Sequence, residues 1–490
     1  GEREELISSS LPSVELATGS ARVREDNYEW ATRGGFFRLN YIYNNKYIFE
    51  ANGRYDGSSR FPKNDRFGFF PSISAAWIIS QEKFMHATQN WLNYAKLRIS
   101  YGALGNQDVS YYEYIASMGS SEQQLLINGI KPMGVTPSGL VSNSLTWEKV
   151  YTKNIGLDLN FFNNRLTFSG DIYRRDTKDM LTKGKTLPSV LGALEPRINA
   201  ADMKTEGWEI SLGWRDLFNL GNKPFSYNVK FILSDNRSFI TRFDNPTGNL
   251  DDWYEGCEIG EIWGLVTEGF FKDQADIDNH ADQWDVTSYP GDRPIEPGDL
   301  KYKDLDNNGK INNGSWTVND PGDYKVIGNN ASRYNYGADF TAEWNGLDFR
   351  VLLQGVGKKD WYPESHYFFG IYRAPWGNVL ENNLDHWTPG NTDAYFPRLK
   401  SYIAEGGKDL AINQTRYLQN AAYLRIKNIT IGYTLPKKFT MKAKLERVRL
   451  YLTGDNIFEF TKLSKNYDPE ILGTSHPMQR LFTFGLNLSF

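Results

Sequence analysis

From Gln479 to Phe490 the chain reads QRLFTFGLNLSF, with Phe482, Phe484, Leu486, Leu488 and Phe490 at every second position and Thr483, Gly485, Asn487 and Ser489 between them. Alternation of period two makes a strand with one apolar and one polar face. A soluble sandwich can turn such a face onto a core, but the pattern recurs about a dozen times along this chain, more than an ordinary core needs. No apolar run reaches the roughly 18 residues that a membrane helix requires. A chain that crosses lipid without such helices must close its sheet into a barrel, because lipid offers no other partner for backbone N–H and C=O groups.

The composition agrees. Aromatic residues make up 15% of a chain that is otherwise hydrophilic and carries a net charge of -4. That suits a barrel whose apolar residues form only an outer band while lumen and loops are wet. At 490 residues the chain exceeds one usual core, yet no Pro/Gly/Ser-rich linker divides it, so one large closed sheet is expected. Cys257 is the only cysteine, which excludes an internal disulfide and argues against a cysteine-based zinc site. The acidic pI of about 5.9 argues against a nucleic-acid partner. Gly1 to Asp26 has no signal-sequence pattern, from which a chain that is mature, cleaved or incomplete at its start is expected.

Taken in order, Phe36 to Asn44 and Lys46 to Asp56 predict a hairpin turning at Asn44 and Asn45. Phe67 to Ser80 and Tyr94 to Leu104 predict strands, with a short helical turn in Gln81 to Asn93 and short strands near Tyr112 and Leu125. Tyr151 to Phe161 and Leu166 to Ile172 predict a long hairpin around Asn163 and Asn164, which tolerate positive φ. Further strands are expected at 208–214, 225–233, 334–344, 347–353, 448–452 and 479–490, and from Ala421 to Leu435. In that last segment Leu424 and Ile426 lie on one parity and Ile429, Ile431 and Tyr433 on the other, so a β-bulge near Lys427 and Asn428 is expected. The total is about 13 to 15 strands, with short turns at one end and long loops, 235–325 and 358–420, at the other. Charged residues such as Glu50, Arg54, Asp158, Asp171, Glu209, Arg215, Asp339, Glu343 and Arg350 fall on the inward parity; Trp77, Trp214 and Trp344 read as anchors at headgroup level.

Five stretches, FEANGRYDGSSRFPKNDRFGFFPSISAAWIIS from Phe49, LRISYGALGNQD from Leu97, YLRIKNITIGYTLP from Tyr423, NYDPE from Asn466 and the terminal FTFGLNLSF, resemble the SusC/RagA-type TonB-dependent transporters of Bacteroidota outer membranes. The resemblance implies an all-β, antiparallel transmembrane barrel of the roughly 22-stranded, plugged kind. This chain would supply the C-terminal part of the one barrel domain, without the plug and N-terminal domains. It implies partnership with a SusD-type surface lipoprotein, drive from TonB through the missing N-terminal region, and a nutrient oligomer as cargo, a glycan or a peptide. A dimer of transporter–lipoprotein pairs fits the same pattern. The terminal Phe490 resembles the aromatic read by the insertion machinery.

Asp304, Asp306, Asn308, the Lys310 carbonyl and Asn312, with Gly309 at the sharp turn, have the spacing of an EF-hand-type calcium loop, although the twelfth position is Ser315 rather than an acid. Calcium site and plain Asx/Gly turn both remain open. Trp253, Tyr254 and Trp263 in the first long loop, and Trp361, Tyr362, Phe368, Phe369 and Trp376 in the second, are candidates for contact with substrate or lid; packing within the loop is the competing reading. The five histidines lack metal spacing, the carboxylates lack a catalytic pairing, and Gly355-Val-Gly357 enters no helix, so no enzyme is expected. Import of an oligomer leads, most simply of oligosaccharides. A peptide importer of the same kind, a passive porin, and a secreted β-rich glycan-binding protein or glycosidase are the alternatives.

Overall fold

The computed structural model describes residues 2–3, 21–22, 28–123, 125–127, 129, 131–136, 138–184, 188, 190, 195–287, 294–372, 378–400, 408–473 and 475–490. Thirteen strands form one antiparallel sheet in which each strand pairs with its neighbours in sequence. They are β1 (Thr32–Tyr43), β2 (Tyr47–Ser58), β3 (Phe67–Ile78), β4 (Leu92–Asn106), β5 (Glu148–Phe161) and β6 (Leu166–Lys183). There follow β7 (Arg197–Leu220), β8 (Lys223–Arg242), β9 (Arg333–Trp344) and β10 (Leu347–Lys358). β11 (Tyr423–Thr434), β12 (Arg447–Thr461) and β13 (Leu481–Ser489) complete it, with β1 and β13 at the edges. Among the described residues no helix is long and apolar enough to cross a membrane.

Register carries the sequence alternation across the whole sheet. One rung runs Ala95, Leu159, Phe168, Leu212, Phe231, Ala338, Leu353, Ile426, Phe458, every member apolar. The next runs Lys96, Asp158, Ser169, Ser211, Ile232, Gly337, Gln354, Arg425, Glu459, with Ile232 the one large apolar side chain. Neighbouring rungs face opposite ways, so the sheet has an apolar and a wet side. The expected bulge is present. Leu352 pairs Asn428 and Leu353 pairs Ile426, leaving Lys427 as the extra residue that brings Leu424 and Ile426 back onto the apolar side.

The wet side is laced by ion pairs that cross a strand. Arg98 on β4 reaches over Gly156 on β5 to Asp171 on β6 (2.9 Å) and also binds Asp158 (2.8 Å). A Cβ on Gly156 would stand 2.4 Å from Asp171 and 2.6 Å from Arg98, so only glycine leaves room. Arg449 and Asp348 (2.5 Å) meet in the same way over Gly432. Arg350 pairs with Asp339 at 2.8 Å and Arg38 with Glu50 at 2.7 Å. On the other side, Trp77, Trp214 and Trp344 all lie near the short-turn end. Their indole N–H groups donate to Glu82, Tyr227 and the Leu220 carbonyl, which suits side chains that are apolar at one end and polar at the other.

All short turns sit at one end, through Asn44–Asn45, Asn163–Asn164, Gly221–Asn222 and Asn345–Gly346, each with positive φ. Two 3-10 turns, Ile79–Gln81 and Lys83–Thr88, fill the connection where a helical turn was expected. Tyr112 corrects another expectation: it is a turn residue at φ 61, and the short strands of that loop are Gly119–Glu122 and Met133–Thr136. The long loops also shift, to 243–332 and 359–422, because β8 continues to Arg242 and β9 begins at Arg333. β7 has 24 residues and β8 has 20, about twice what a bilayer needs. Their surplus stands clear of lipid on the long-loop side. There both faces are wet and the alternation lapses, so 235–242 read as loop. The extension is held by Arg333 on Asp235 (2.5 Å) and Arg237 on Glu258 (2.5 Å).

Leu486 shares the apolar side with Leu450, and Asn487 the wet side with Arg449. Leu486→Arg is therefore expected to destabilise the inserted protein by about 2 to 4 kcal/mol if it lies near the midplane, and Asn487→Arg by much less. Urea unfolding in lipid vesicles measures both. Equal costs would contradict the two-sided sheet.

Candidate substrate cleft in the loop layer

Three connections, 243–332, 359–422 and 462–480, meet at the end of the sheet away from the short turns and build a core of their own. Leu265, Phe270, Leu300, Tyr302 and Ile311 come from the first, Tyr362, Phe368, Phe369, Tyr372, Phe396, Leu410 and Tyr417 from the second, and Leu463 and Tyr467 from the third. Aromatic rings supply much of the buried area. Tyr372 stacks on Phe396 (5.4 Å between centroids) and Phe396 on Tyr417 (5.6 Å), while Phe368 meets Phe369 edge to face at 4.9 Å. Buried phenols find acceptors: Tyr362 donates to the Leu410 carbonyl and Tyr372 to that of Pro397.

This corrects part of the aromatic expectation. Phe368 and Phe369 are 2% and 1% exposed and present no ring face to a ligand; they are the packing of the loop layer. Trp253 packs edge-on against Phe243 at 5.9 Å. Trp376 lies outside the described residues. Trp263, Trp361 and Tyr362, by contrast, line one cleft of about 840 Å³ together with Trp316, Tyr324, Glu261, Glu364, Asn413 and others. The antiparallel pair formed by Glu261–Gly264 and Lys325–Asn329, far apart in the chain, gives one wall. Trp361 is half-buried and braced edge-on by Tyr467 at 4.7 Å. Trp316 packs on Tyr324 at 5.0 Å, and its N–H donates to Asp251 at 2.7 Å. Tyr254 stands behind the wall and donates to Glu261 at 2.5 Å, fixing a carboxylate of the lining. Burial, and then Glu261 beside it, push the Tyr254 phenol well above its ordinary range. Trp316, Tyr324 and Glu364 were missed in the sequence, since only folding brings 316 and 324 beside 361.

The Asp-rich loop converges as a ligand shell would. Carboxylate oxygens of Asp304, Asp306 and Asp323 lie within 4.8 Å of one another. Asp304 accepts from the N–H groups of Asn307 (2.6 Å) and Gly309 (2.9 Å), and Asp306 from that of Asn308 (3.0 Å). Asn308 accepts from Lys310 N–H at 2.7 Å, and Asn312 from Gly314 N–H at 2.7 Å. Asp323 was not foreseen. Ser315, at the twelfth position, is bound to Asp320, and the buried Asp323 stands beside Asp304 and Asp306 instead. Burial, with Asp306 and Asp304 adding, raises the Asp323 carboxyl above its ordinary range even though Asn312 and Leu305 N–H groups bind it. Burial also works on Asp304, but the N–H groups of Gly309 and Asn307 outweigh it and hold that carboxyl low. Oxygen donors of this kind and number fit a hard cation such as calcium.

Two of the stretches quoted above touch each other. Arg425 of YLRIKN, 1% exposed, binds Asp468 of NYDPE at 2.9 Å and lies 3.2 Å from Glu470. The bulged Lys427 binds Glu470 at 3.1 Å. Asp468 also accepts from the N–H groups of Glu470 and Met478. The pairing pins the 462–480 connection to the wet side of β11, since Arg425 stands on a wet rung.

Residues 7–326 match the family described as TonB dependent receptor-like, beta-barrel. The chain belongs to this family. Members are outer-membrane proteins, which agrees with the two-sided sheet. TonB-dependent receptor P3 of Formosa agariphila is 29% identical over 488 residues, covering 93% of this chain and 45% of that protein. TonB-dependent receptor SusC of Bacteroides thetaiotaomicron is 27% identical over 479 residues, 96% of this chain and 45% of that protein. The chain thus spans somewhat under half the length of these relatives. Among solved structures, the RagAB peptide transporter superposes with a TM-score of 0.76 at 22% identity, covering 99% of this chain and 50% of that one. The resemblance read from the motifs holds, as does the all-β receptor barrel fold, here as a large antiparallel sheet.

Removing Arg425 leaves the buried Asp468 carboxylate without its ion-pair partner. Arg425→Met is expected to cost about 3 to 5 kcal/mol locally and to open 462–480 to protease. Cleavage mapped by mass spectrometry checks this. Wild-type resistance would contradict the clamp.

Proposed function

We propose that this chain is the barrel portion of an outer-membrane importer that draws a nutrient oligomer through its lumen, energised through TonB and capped by a SusD-type lipoprotein. In this reading further strands pair with β1 and β13 to close the barrel around a plug, and the long loops face the cell exterior. The observation that carries it is the cleft: three indoles and two tyrosines around two carboxylates, set in a rigid loop layer above a wet, ion-paired sheet face. Flat apolar rings beside hydrogen-bonding acceptors match the alternating apolar and hydroxylated faces of sugars, so an oligosaccharide is the cargo we favour. A peptide is the second reading, favoured by the likeness to a transporter named for peptides.

Trp361→Ala and Trp263→Ala are each expected to weaken binding of the imported oligomer by about 2 kcal/mol while leaving insertion intact. Phe368→Ala is expected to destabilise the loop layer by about 3 to 5 kcal/mol instead. Calorimetry of the intact protein against oligosaccharide and oligopeptide libraries, with thermal unfolding of each variant, separates these effects. Unchanged affinity in both tryptophan variants would contradict the cleft, and peptide binding without glycan binding would select the second reading.

A calcium ion is part of the same proposal, held by Asp304, Asp306 and Asp323 with Asn308 and the Lys310 carbonyl. Convergence of three carboxylates supports it. Such a site would brace the loop whose Ile311 is buried in the layer's core. Chelation is expected to speed hydrogen exchange across 304–323, and Asp323→Asn to abolish that response. Because burial raises the Asp323 carboxyl, protons compete for it and affinity is expected to fall as pH is lowered. A chelator without effect would remove the ion from the account.

A further inference from the structure

The connection between β11 and β12, residues 435–446, differs from the two-residue turns at its end of the sheet and gathers four lysines where the longer connection 79–91, with its exposed Phe84, has only Lys83. Those at Asn44–Asn45, Asn163–Asn164 and Asn345–Gly346 only reverse the chain. This one forms a short helix, Lys437–Thr440, and a 3-10 turn, Met441–Ala443, closed by Lys444 at φ 56. Lys437, Lys438, Lys442 and Lys444 are all exposed, and among the described residues none has an ion-pair partner. Arg447 adds a fifth positive charge, and Glu446 is the one acid in the stretch. Lys46 and Arg165, beside two of the other turns, are neutralised by Glu82 at 2.9 Å and Asp216 at 3.4 Å, while Lys223 and Lys83 each stand singly. Among these lysines stand Phe439, 55% exposed with the Lys438 ammonium over its ring at 4.9 Å, and Met441, 69% exposed.

The position of the turn decides what meets it. Tyr433 is the last residue of β11 on the apolar side, pairing with Leu450 and Leu347. Leu435 N–H still bonds Val448 and Glu446 N–H bonds Ser489, so the turn begins where the lipid-facing band ends. Four ammonium groups without ion-pair partners around two exposed apolar side chains at that height complement an anionic bilayer surface, where the Phe439 ring and the Met441 thioether enter the acyl boundary and the lysines reach phosphates. We propose that residues 436–447 form an interfacial foot that binds the phosphate headgroups of anionic phospholipid, phosphatidylglycerol in kind, in the leaflet facing the short turns. The inference rests on the reading of the sheet as membrane-spanning.

To test it, the intact protein isolated from its outer membrane is placed in nanodiscs of equal parts phosphatidylethanolamine and phosphatidylglycerol, with a trace of photoactivatable phosphatidylglycerol. Labelled peptides are then read by mass spectrometry. The 436–447 peptide is expected to carry most of the label found at the short-turn end. In the K437Q/K438Q/K442Q/K444Q variant that label is expected to fall by about tenfold, and high salt is expected to lower it in the wild type. Label spread evenly over the connections at 44–46, 79–91, 163–165, 221–223 and 345–346, label on 436–447 that ignores both the substitutions and salt, or protection of 436–447 by a co-purified protein would overturn the proposal. Should the variant fail to insert, the wild-type pattern and its salt response decide alone. A wild-type protein that does not enter nanodiscs removes the membrane reading and this inference with it.

Discussion

Backbone hydrogen bonding in lipid is the constraint on which the rest depends. A strand inside the hydrocarbon layer has no water to bond, so each N–H and C=O must find a neighbouring strand. In strict sequential antiparallel order the eleven inner strands of the thirteen are paired on both sides in this way. Because side chains alternate across a strand, that pairing also fixes which residues meet lipid and which meet water. A slip of one residue would exchange the two sides, and the slip at Lys427 in β11 serves to restore the phase rather than lose it. The same bulge aims Lys427 at Glu470 beside Arg425, so a correction of register doubles as an anchor for a loop.

Above the sheet the physics changes. The loop layer is an ordinary aromatic core, held by ring packing and by phenols bonded to carbonyls, on strands that outrun the bilayer. That packing forms the walls of the cleft, and Asp323, accepting from the Leu305 and Asn312 N–H groups, and the Arg425 clamp tie down two of the three connections that form it. Ion pairs over Gly156 and Gly432 let charges stand on the wet face while bonding one another across a strand.

Much of the sheet was legible in the sequence because alternation is imposed by lipid. The hairpin at Asn163–Asn164, the two-sided β13 and the phase slip before Asn428 could all be read from residue order. Where lipid ends, so does the signal: 235–242 carry Asp235 and Arg237 on a strand with water on both sides and read as loop. In the loop layer composition identified aromatic residues but not their direction, so Phe368 in the core and Trp361 in the cleft looked alike. Asp323 and Trp316 join their sites only through the fold, by contacts that no local spacing encodes.

The central claim is that one side of every strand faces lipid and the other water, with a single change of phase in β11. Single cysteines, in a background where Cys257 is replaced, at successive positions 424–433 and 482–488 can carry a fluorophore quenched by nitroxide lipid. The account predicts quenching at Phe482, Phe484, Leu486 and Leu488 but not at Thr483 or Asn487, and in β11 at Leu424 and Ile426, then at Ile429, Ile431 and Tyr433. Uniform quenching along either strand, or one unbroken parity through Lys427, would contradict it.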